Sequence, residues 1–265
     1  MKSARILAVA AGVCLVASSL AYAENYQPSQ YLELVRVHVK PGATAQFEEY
    51  IKKLAEAANK VNAPQHWVGG SVFLGAEGNT YVFGIQFQKW EEVDSWTMIP
   101  DMLVKAFGEK DGGAILRSGQ SAIEETHTRV FRYLEDQSST IATTPAEAKA
   151  FRFTVTHVKP DRIFAYNEAM VKARKAANET PNAPKVIRRV STDGPSFTYL
   201  SVIPMKTYKE RDSWLGPGDP ILKVYGEYEG RKIIDTILGS MESNMSLVVT
   251  NRPDLSRPPI PAATN

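Results

Sequence analysis

Two histidines at repeated positions give the sequence its clearest candidates for chemistry. His38 opens the tetrapeptide His-Val-Lys-Pro, which returns 119 residues later as His157 to Pro160. Imidazole titrates near neutral pH, so a pair of such residues facing one cavity could bind a metal or transfer a proton. The structural alternative is that each histidine ends a strand and hydrogen-bonds the turn that follows. The sequence leaves both interpretations open.

The other two histidines have no counterpart in the repeat. Met245 stands where His127 would recur, and His66 is likewise unmatched. The four histidines form no closely spaced cluster, and metal sites require several ligands brought together. We therefore predict no metal site.

Aromatic residues also recur in pairs. Trp96 matches Trp214, and Tyr81 matches Tyr199, at an offset of 118 residues. Such rings could line a ligand cavity and, for tyrosine, offer a phenol group. Large aromatic residues on strands and helices also commonly pack in the core. The candidate cavity residues are therefore the two histidines, the two tryptophans and the two tyrosines.

The elements that must position these residues follow one order twice. Each copy of the repeat begins with a strand of period 2, which ends at Pro41 or Pro160 because proline cannot donate a ladder hydrogen bond. An amphipathic helix, a β-hairpin, a kinked helical stretch and a last strand follow, so the predicted order is β-α-β-β-α-β. Gly108 and Gly226 are predicted to turn one helix into the next. The fold class is α+β, with two ferredoxin-like modules packed as one pseudo-dimeric barrel.

The predicted strands after the first helix are short and bounded by turn residues. They span about 67–74, 80–88 and 128–134 in the first copy, and about 186–191, 198–206 and 246–250 in the second. The predicted domains are a first module over 24–137, a linker over 138–150, a second module over 151–252 and a Pro-rich tail over 253–265.

Residues 1–23 are typical of a secretory signal peptide. Lys2 and Arg5 precede an apolar run, and Ala21-Tyr22-Ala23 offers the small residues that signal peptidase needs. Cleavage would remove the only cysteine, so neither disulfide nor thiol chemistry is expected in the mature chain. We expect a bacterial protein of the periplasm or the medium, without a membrane anchor.

The charge balance argues against nucleic-acid partners. The chain has 31 Lys and Arg against 29 Asp and Glu, and loss of Lys2 and Arg5 would bring it close to neutrality. A nucleic-acid-binding surface needs an excess of positive charge or a basic run, and neither is present.

Several motifs resemble the dimeric α+β barrel superfamily, which includes antibiotic-biosynthesis monooxygenases, NIPSNAP and EthD-type proteins. They are the strand end Val39-Lys40-Pro41-Gly42, the helix that follows at 47–54, a hairpin, and a tryptophan-bearing helix after Trp90. The similarity covers about 31–136 and again 151–254. It implies that two modules press their sheets together around a ligand cavity, here as a tandem fusion on one chain.

The resemblance does not extend to haem degradation. Haem-degrading members place an Asn on the first strand, a Trp after the third strand and a His about ten residues later. Trp96 and Trp214 fit the second position, but Val35 or Thr154 stands near the first. Near the third stand Ala106 and Phe107, or Val224 and Tyr225. No cofactor is therefore predicted.

Three functions stay open at this point, and the sequence does not decide whether the protein is an enzyme. The first is an exported binder of a small apolar molecule in an inter-module cavity. The second is a cofactor-independent monooxygenase-like enzyme acting on an activated aromatic substrate. The third is a stress or interaction protein whose barrel is filled by side chains. The sequence does not determine the oligomeric state.

Overall fold

The computed structural model describes residues 26–76, 78–141, 143–214, 216 and 218–258. The predicted signal peptide and the end of the Pro-rich tail lie outside them. The strands are β1 Tyr31–Val39, β2 Trp67–Leu74, β3 Thr80–Phe87, β4 Ile123–Tyr133, β5 Ala150–Val158, β6 Ile187–Ser191, β7 Thr198–Met205 and β8 Met241–Asn251. The helices of the described residues are α1 Thr44–Lys60, α2 Ile99–Ala122, α3 Ile163–Glu179 and α4 Asp219–Ser240.

The eight strands close into one antiparallel barrel in the order β1-β3-β2-β8-β5-β7-β6-β4. We call β1–β4 with α1 and α2 the first half, and β5–β8 with α3 and α4 the second half. In the first half β1 pairs with β3 and β4, and in the second half β5 pairs with β7 and β8. The two halves join where β2 pairs with β8 and where β4 pairs with β6. The predicted α+β class is therefore confirmed. Because the sheet is closed, its described strands leave no long unpaired edge.

Alternation along the strands sends one set of side chains into the barrel. Leu32 and Leu34 of β1 meet Phe151 and Phe153 of β5 in a single apolar cluster. Both halves contribute to this cluster, so neither half can bury its inner face alone.

The helices cover the outer face of the barrel. On α1 the buried residues recur at helical spacing: Phe47, Tyr50, Ile51, Leu54, Ala57 and Ala58. They pack on Val37 and Val39, which point to the opposite side of β1 from Leu32. This layer between sheet and helices, rather than the barrel interior, contains the site described below.

Glycines interrupt the second helix of each half, as the sequence predicts. Gly108 and Gly226 have φ angles of 83° and 73° inside α2 and α4, a region that glycine enters without a steric penalty. The predicted last strands, however, were too short. β4 begins at Ile123 and β8 at Met241, two residues whose spacing had suggested the end of a helix. The helical spacing of apolar residues continues from the helix into the first residue of the strand, so the sequence pattern does not show where the helix ends.

The segment after the last strand of each half crosses to the other half. Pro253–Leu255 forms a 3₁₀ turn against β2 and α1, and Leu255 is fully buried. Ser256 Oγ accepts the Gly69 N–H at 2.9 Å. Its counterpart Ser138 accepts the Arg188 N–H at 2.8 Å. The described part of the predicted tail is thus packed into the first half.

None of the described helices combines the length and the apolar character needed to cross a membrane.

Candidate ligand cavity

The two repeated histidines make the same contact in each half. His38 Nδ1 lies 3.2 Å from Thr80 Oγ1, and His157 Nδ1 lies 3.0 Å from Thr198 Oγ1. His38 Nε2 also lies 3.4 Å from a Glu124 carboxylate oxygen. These contacts tie each ring to the neighbouring strand, whereas the structural interpretation expected a hydrogen bond to the turn that follows the histidine. A functional role for the pair stays a prediction.

The tyrosine pair lies in the layer between the sheet and the helices. The Tyr81 hydroxyl donates to Glu48 at 2.7 Å, and Glu48 forms two hydrogen bonds with Arg252 at 2.7 and 2.8 Å. Tyr199 is buried against Tyr166, with ring centroids 5.1 Å apart. The barrel therefore does not bring the tyrosines and the histidines together in one group.

A large apolar cavity lies among the described residues of the first half, between the outer face of β1 and β3 and the helices α1 and α2. Its volume is about 430 Å³, within the usual range for a small-molecule site. Its walls are chiefly aliphatic and aromatic: Val35, Val37, Phe47, Tyr50, Ile51, Leu54, Trp67, Phe83, Ile85, Trp96, Met98, Ile99, Met102 and Ile123. Trp96 is thus the one residue of the six candidates that lines it.

The entrance of this cavity is marked by two exposed apolar residues. Met98 and Ile99, at the start of α2, are 68% and 42% exposed although both line the cavity. Trp96 stands beside them and packs edge-on against Phe87, with ring centroids 5.5 Å apart. An apolar molecule could therefore enter between α2 and the sheet.

Polar groups are few in the cavity wall. Gln65 is 9% exposed, and its Nε2 donates to the Thr97 carbonyl at 2.6 Å. Its Oε1 is buried and finds no hydrogen-bond partner among the described residues. The same cavity is lined by Glu33, Tyr50, Thr97 and Thr126. Gln65 therefore presents an unused acceptor, which a bound molecule could satisfy.

Glu33 contributes the carboxylate among the residues that line the cavity. It alternates with Leu32 and Leu34, so it shares the helix-facing side of β1 with Val35. Burial raises the pKa of the Glu33 carboxyl, and the nearby charge of Asp193 raises it further. Burial likewise raises the pKa of Tyr50 to about 12. Sequence reasoning missed Glu33, although a charge among valines on a helix-facing strand side was a usable signal.

The space between the halves is much smaller than the sequence suggests. The cavity in the barrel interior measures about 60 Å³ and is lined by Leu32, Phe151 and Val249, among others. The apolar side chains of both halves fill the remainder. The described interior is therefore a packed core, and the larger cavity belongs to one half.

The second half has a smaller cavity beside Trp214. Its volume is about 210 Å³, and Pro184, Ile203 and Trp214 line it. These three residues correspond to Gln65, Ile85 and Trp96 in the repeat. Each tryptophan of the predicted pair thus lines the cavity of its own half.

The two halves differ in one pair of neighbouring residues, which is Gly69-Gly70 in the first half and Arg188-Arg189 in the second. Gly69 pairs with Phe83 on β3, and at the matching place Arg188 pairs with Ser201 on β7. A Cβ on Gly69 would lie 2.8 Å from the Phe83 ring, and one on Gly70 would lie 2.7 Å from the Thr250 carbonyl. Side chains are excluded there in the first half, whereas the second half carries Arg188 and Arg189.

The Arg188 side chain fills the layer that holds the cavity in the first half. It is 3% exposed and donates to the Tyr166 hydroxyl at 2.8 Å and to Ser201 Oγ. Its guanidinium carbon lies 5.6 and 5.4 Å from the ring centroids of Tyr166 and Tyr199, as in a cation–π contact. Tyr166 and Ser201 replace Phe47 and Phe83, so the second half is polar where the first is apolar.

The described residues provide no obvious metal site. They contain no group of three or more His, Cys, Asp or Glu side chains placed to hold a metal ion.

No protein-family model matches the sequence, and no curated protein is significantly similar to it. Solved structures do match. A proposed monooxygenase from Fusobacterium nucleatum has a TM-score of 0.51 at 10% identity, covering 89% of this chain and 100% of that one. A proposed monooxygenase from Lactobacillus acidophilus has a TM-score of 0.50 at 10% identity, covering 86% and 95%. A mutant chlorite dismutase from Candidatus Nitrospira defluvii has a TM-score of 0.50 at 8% identity, covering 86% and 94%.

These likenesses show a shared fold. The predicted resemblance to barrel proteins of the monooxygenase type is therefore confirmed at the level of architecture. The narrower resemblance to NIPSNAP and EthD-type proteins stays a prediction.

Proposed function

We propose that this protein binds a small, largely apolar molecule in the cavity of its first half. The observation that carries the proposal is the cavity of about 430 Å³ between the sheet and the helices, with its chiefly apolar walls. Burying apolar ligand surface there contributes about 25 cal/mol per Å² before the cost of immobilisation. The site differs from the inter-module cavity that the sequence suggested.

We also propose that the chain is a tandem fusion of two ferredoxin-like modules in a pseudo-dimeric barrel. The registers support this: His38 pairs with Thr80 on β3, and His157 pairs with Thr198 on β7. Both pairs follow the offsets found in the sequence. A fused chain supplies both sheets of the barrel itself.

We also propose that the mature chain is exported to the periplasm or medium of a bacterium, on the strength of the signal peptide predicted at residues 1–23. N-terminal sequencing of the secreted or periplasmic protein should begin at Glu24. A mature protein that begins at Met1 would contradict this part of the proposal.

Binding is tested with a neutral, apolar fluorescent probe, N-phenyl-1-naphthylamine, and with native mass spectrometry for a copurified molecule. Val35→Phe should weaken probe binding because the new ring occupies the cavity. Val72→Phe is the matched control, since Val72 is partly buried against the interior cluster instead. Equal probe affinity in wild type and Val35→Phe would refute this cavity as the site.

A second candidate function is chemistry on the bound molecule. Burial raises the pKa of Glu33 in the cavity that Trp96 also lines, so this carboxylate takes a proton from a bound molecule more readily than an exposed carboxylate does. Two of the similar structures are described as proposed monooxygenases. Oxygen uptake with polycyclic phenols should then fall in Glu33→Gln, whereas uptake that is equal in both proteins would exclude this role for Glu33.

A further inference from the structure

We propose that the cavity of the first half selects lipophilic amines, with Glu33 pairing the ammonium group and the aromatic walls holding the apolar body. This inference rests on the proposed binding function and specifies the class of ligand. It follows from the charges, the orphan acceptor and the rings of the wall.

The ionisable side chains that line the cavity are acidic and include no cation. They are Glu33 and Tyr50, and the lining contains no Lys, Arg or His. No ion pair or hydrogen bond joins the Glu33 carboxylate to another described residue. Asp193 adds a second negative charge nearby. A carboxylate in apolar surroundings gains most from a ligand that brings a positive charge.

The second polar group of the wall is also an acceptor. Gln65 Nε2 donates to the Thr97 carbonyl, which leaves Oε1 as the orphan end of a side chain that is 9% exposed. An orphaned buried acceptor is satisfied by a donor. An ammonium group has three donors and no acceptor, so it matches both Glu33 and Gln65, whereas a carboxylate ligand would match neither.

The remaining walls suit a cation with an apolar body. Phe47, Tyr50, Trp67, Phe83 and Trp96 place five aromatic rings around the cavity. Aromatic faces attract ammonium groups, and their edges and the aliphatic residues bury hydrocarbon. A negative charge, an unused acceptor and aromatic walls together favour an amine over an alcohol of the same shape.

The second half has different residues at the two positions that would bind the amine. The residue at the position of Glu33 is Arg152, and the residue at the position of Gln65 is Pro184. The smaller cavity therefore lacks a counterpart of either group. Its own carboxylate, Glu210, already accepts the Thr207 N–H at 2.9 Å, and Lys185 adds a cationic side chain to its lining. We expect one amine site per chain.

Isothermal titration with three probes that share one apolar body tests the inference. They are 2-naphthylmethylamine, 2-naphthylmethanol and 2-naphthoate, measured at neutral pH. The amine should bind about tenfold more tightly than the alcohol, since hydrogen bonds to charged groups are stronger than neutral ones. The carboxylate should bind most weakly, and the amine should saturate at one per chain.

Two variants locate the effect. Glu33→Gln should reduce the amine's affinity to that of the alcohol and leave the alcohol's affinity unchanged. Glu168→Gln makes the same change of charge on the exposed side of α3 and should keep the amine preference.

The outcomes separate this inference from the function on which it rests. Equal binding of all three probes, or an amine preference that survives in Glu33→Gln, overturns the amine inference while the apolar cavity stands. Failure of every probe to bind the wild-type protein overturns both.

Discussion

Leu255 offers a direct test of how the two halves depend on each other. It follows β8, the last strand of the second half, yet its side chain is fully buried in the core of the first half. Its carbonyl accepts a hydrogen bond from Trp67 Nε1 at 2.9 Å, and Trp67 lines the cavity. The substitution Leu255→Ala keeps that backbone contact and removes the buried side chain alone.

The expected loss follows from the burial. Leucine-to-alanine changes at fully buried sites cost about 3 kcal/mol, because the removed methyl groups leave a cavity that closes only in part. The segment after β8 should stay in place, since Arg252 keeps its two hydrogen bonds to Glu48. For a protein of this size the melting temperature should fall by about 6 to 12 °C.

Urea denaturation followed by circular dichroism measures this loss. The matched control is Gln137→Ala, because Gln137 occupies the equivalent position after β4, contacts the second half and is 5% exposed. It removes less apolar surface and should cost about 1 kcal/mol, mainly through the lost bond to Asn167. A loss below about 1 kcal/mol for Leu255→Ala would refute the view that the end of the chain is part of the core of the first half.

Three further predictions concern other parts of the molecule. Residues 24–145 expressed alone should associate or aggregate because the inner sheet face is uncovered, and a well-folded monomer in analytical ultracentrifugation would contradict this. If the histidines serve the site, replacing His38 and His157 together with Ala should weaken ligand binding far more than thermal stability; a variant that is less stable yet binds normally would assign both a structural role. The hydrogen bonds from Arg252 lower the pKa of Glu48, so ionised Glu48 stabilises the fold above its unfolded pKa. Stability at pH 7 should therefore exceed that of Glu48→Gln, and the difference should close as the pH falls below about 4; a difference that is constant with pH would exclude this ion pair as its source.

The repeat made most of the architecture predictable. A tetrapeptide that recurs from His38 to His157 sets the register of two equivalent strands, and period-2 and helical spacings supply the element order. The starts of β4 and β8 were missed because Ile123 and Met241 continue a helical spacing into a strand. Gly239 stands near the end of α4 but is not a left-handed cap. A local pattern cannot show where a helix ends when no proline or glycine cap marks the end.

The site was less predictable, and the same repeat is the reason. Reasoning from equivalent positions favours residues that recur, such as Tyr81 and Tyr199. The cavity depends instead on residues that differ between the halves, among them Glu33, Gln65 and Gly69. The space left between helices and sheet also depends on packing distances, which no sequence pattern specifies.

The difference between Gly69-Gly70 and Arg188-Arg189 has a consequence for a chain of this design. In a barrel made of two identical subunits, any change that closes one cavity closes both. On a fused chain, as we propose this one to be, the two sheets are still needed to close the barrel, but each helix layer can change alone. Arg188, held by Tyr166 and Ser201, occupies one layer with a polar cluster, while the other layer keeps its apolar volume. Fusion thus allows one half to stabilise the barrel while the other keeps the cavity in which we propose that a ligand binds.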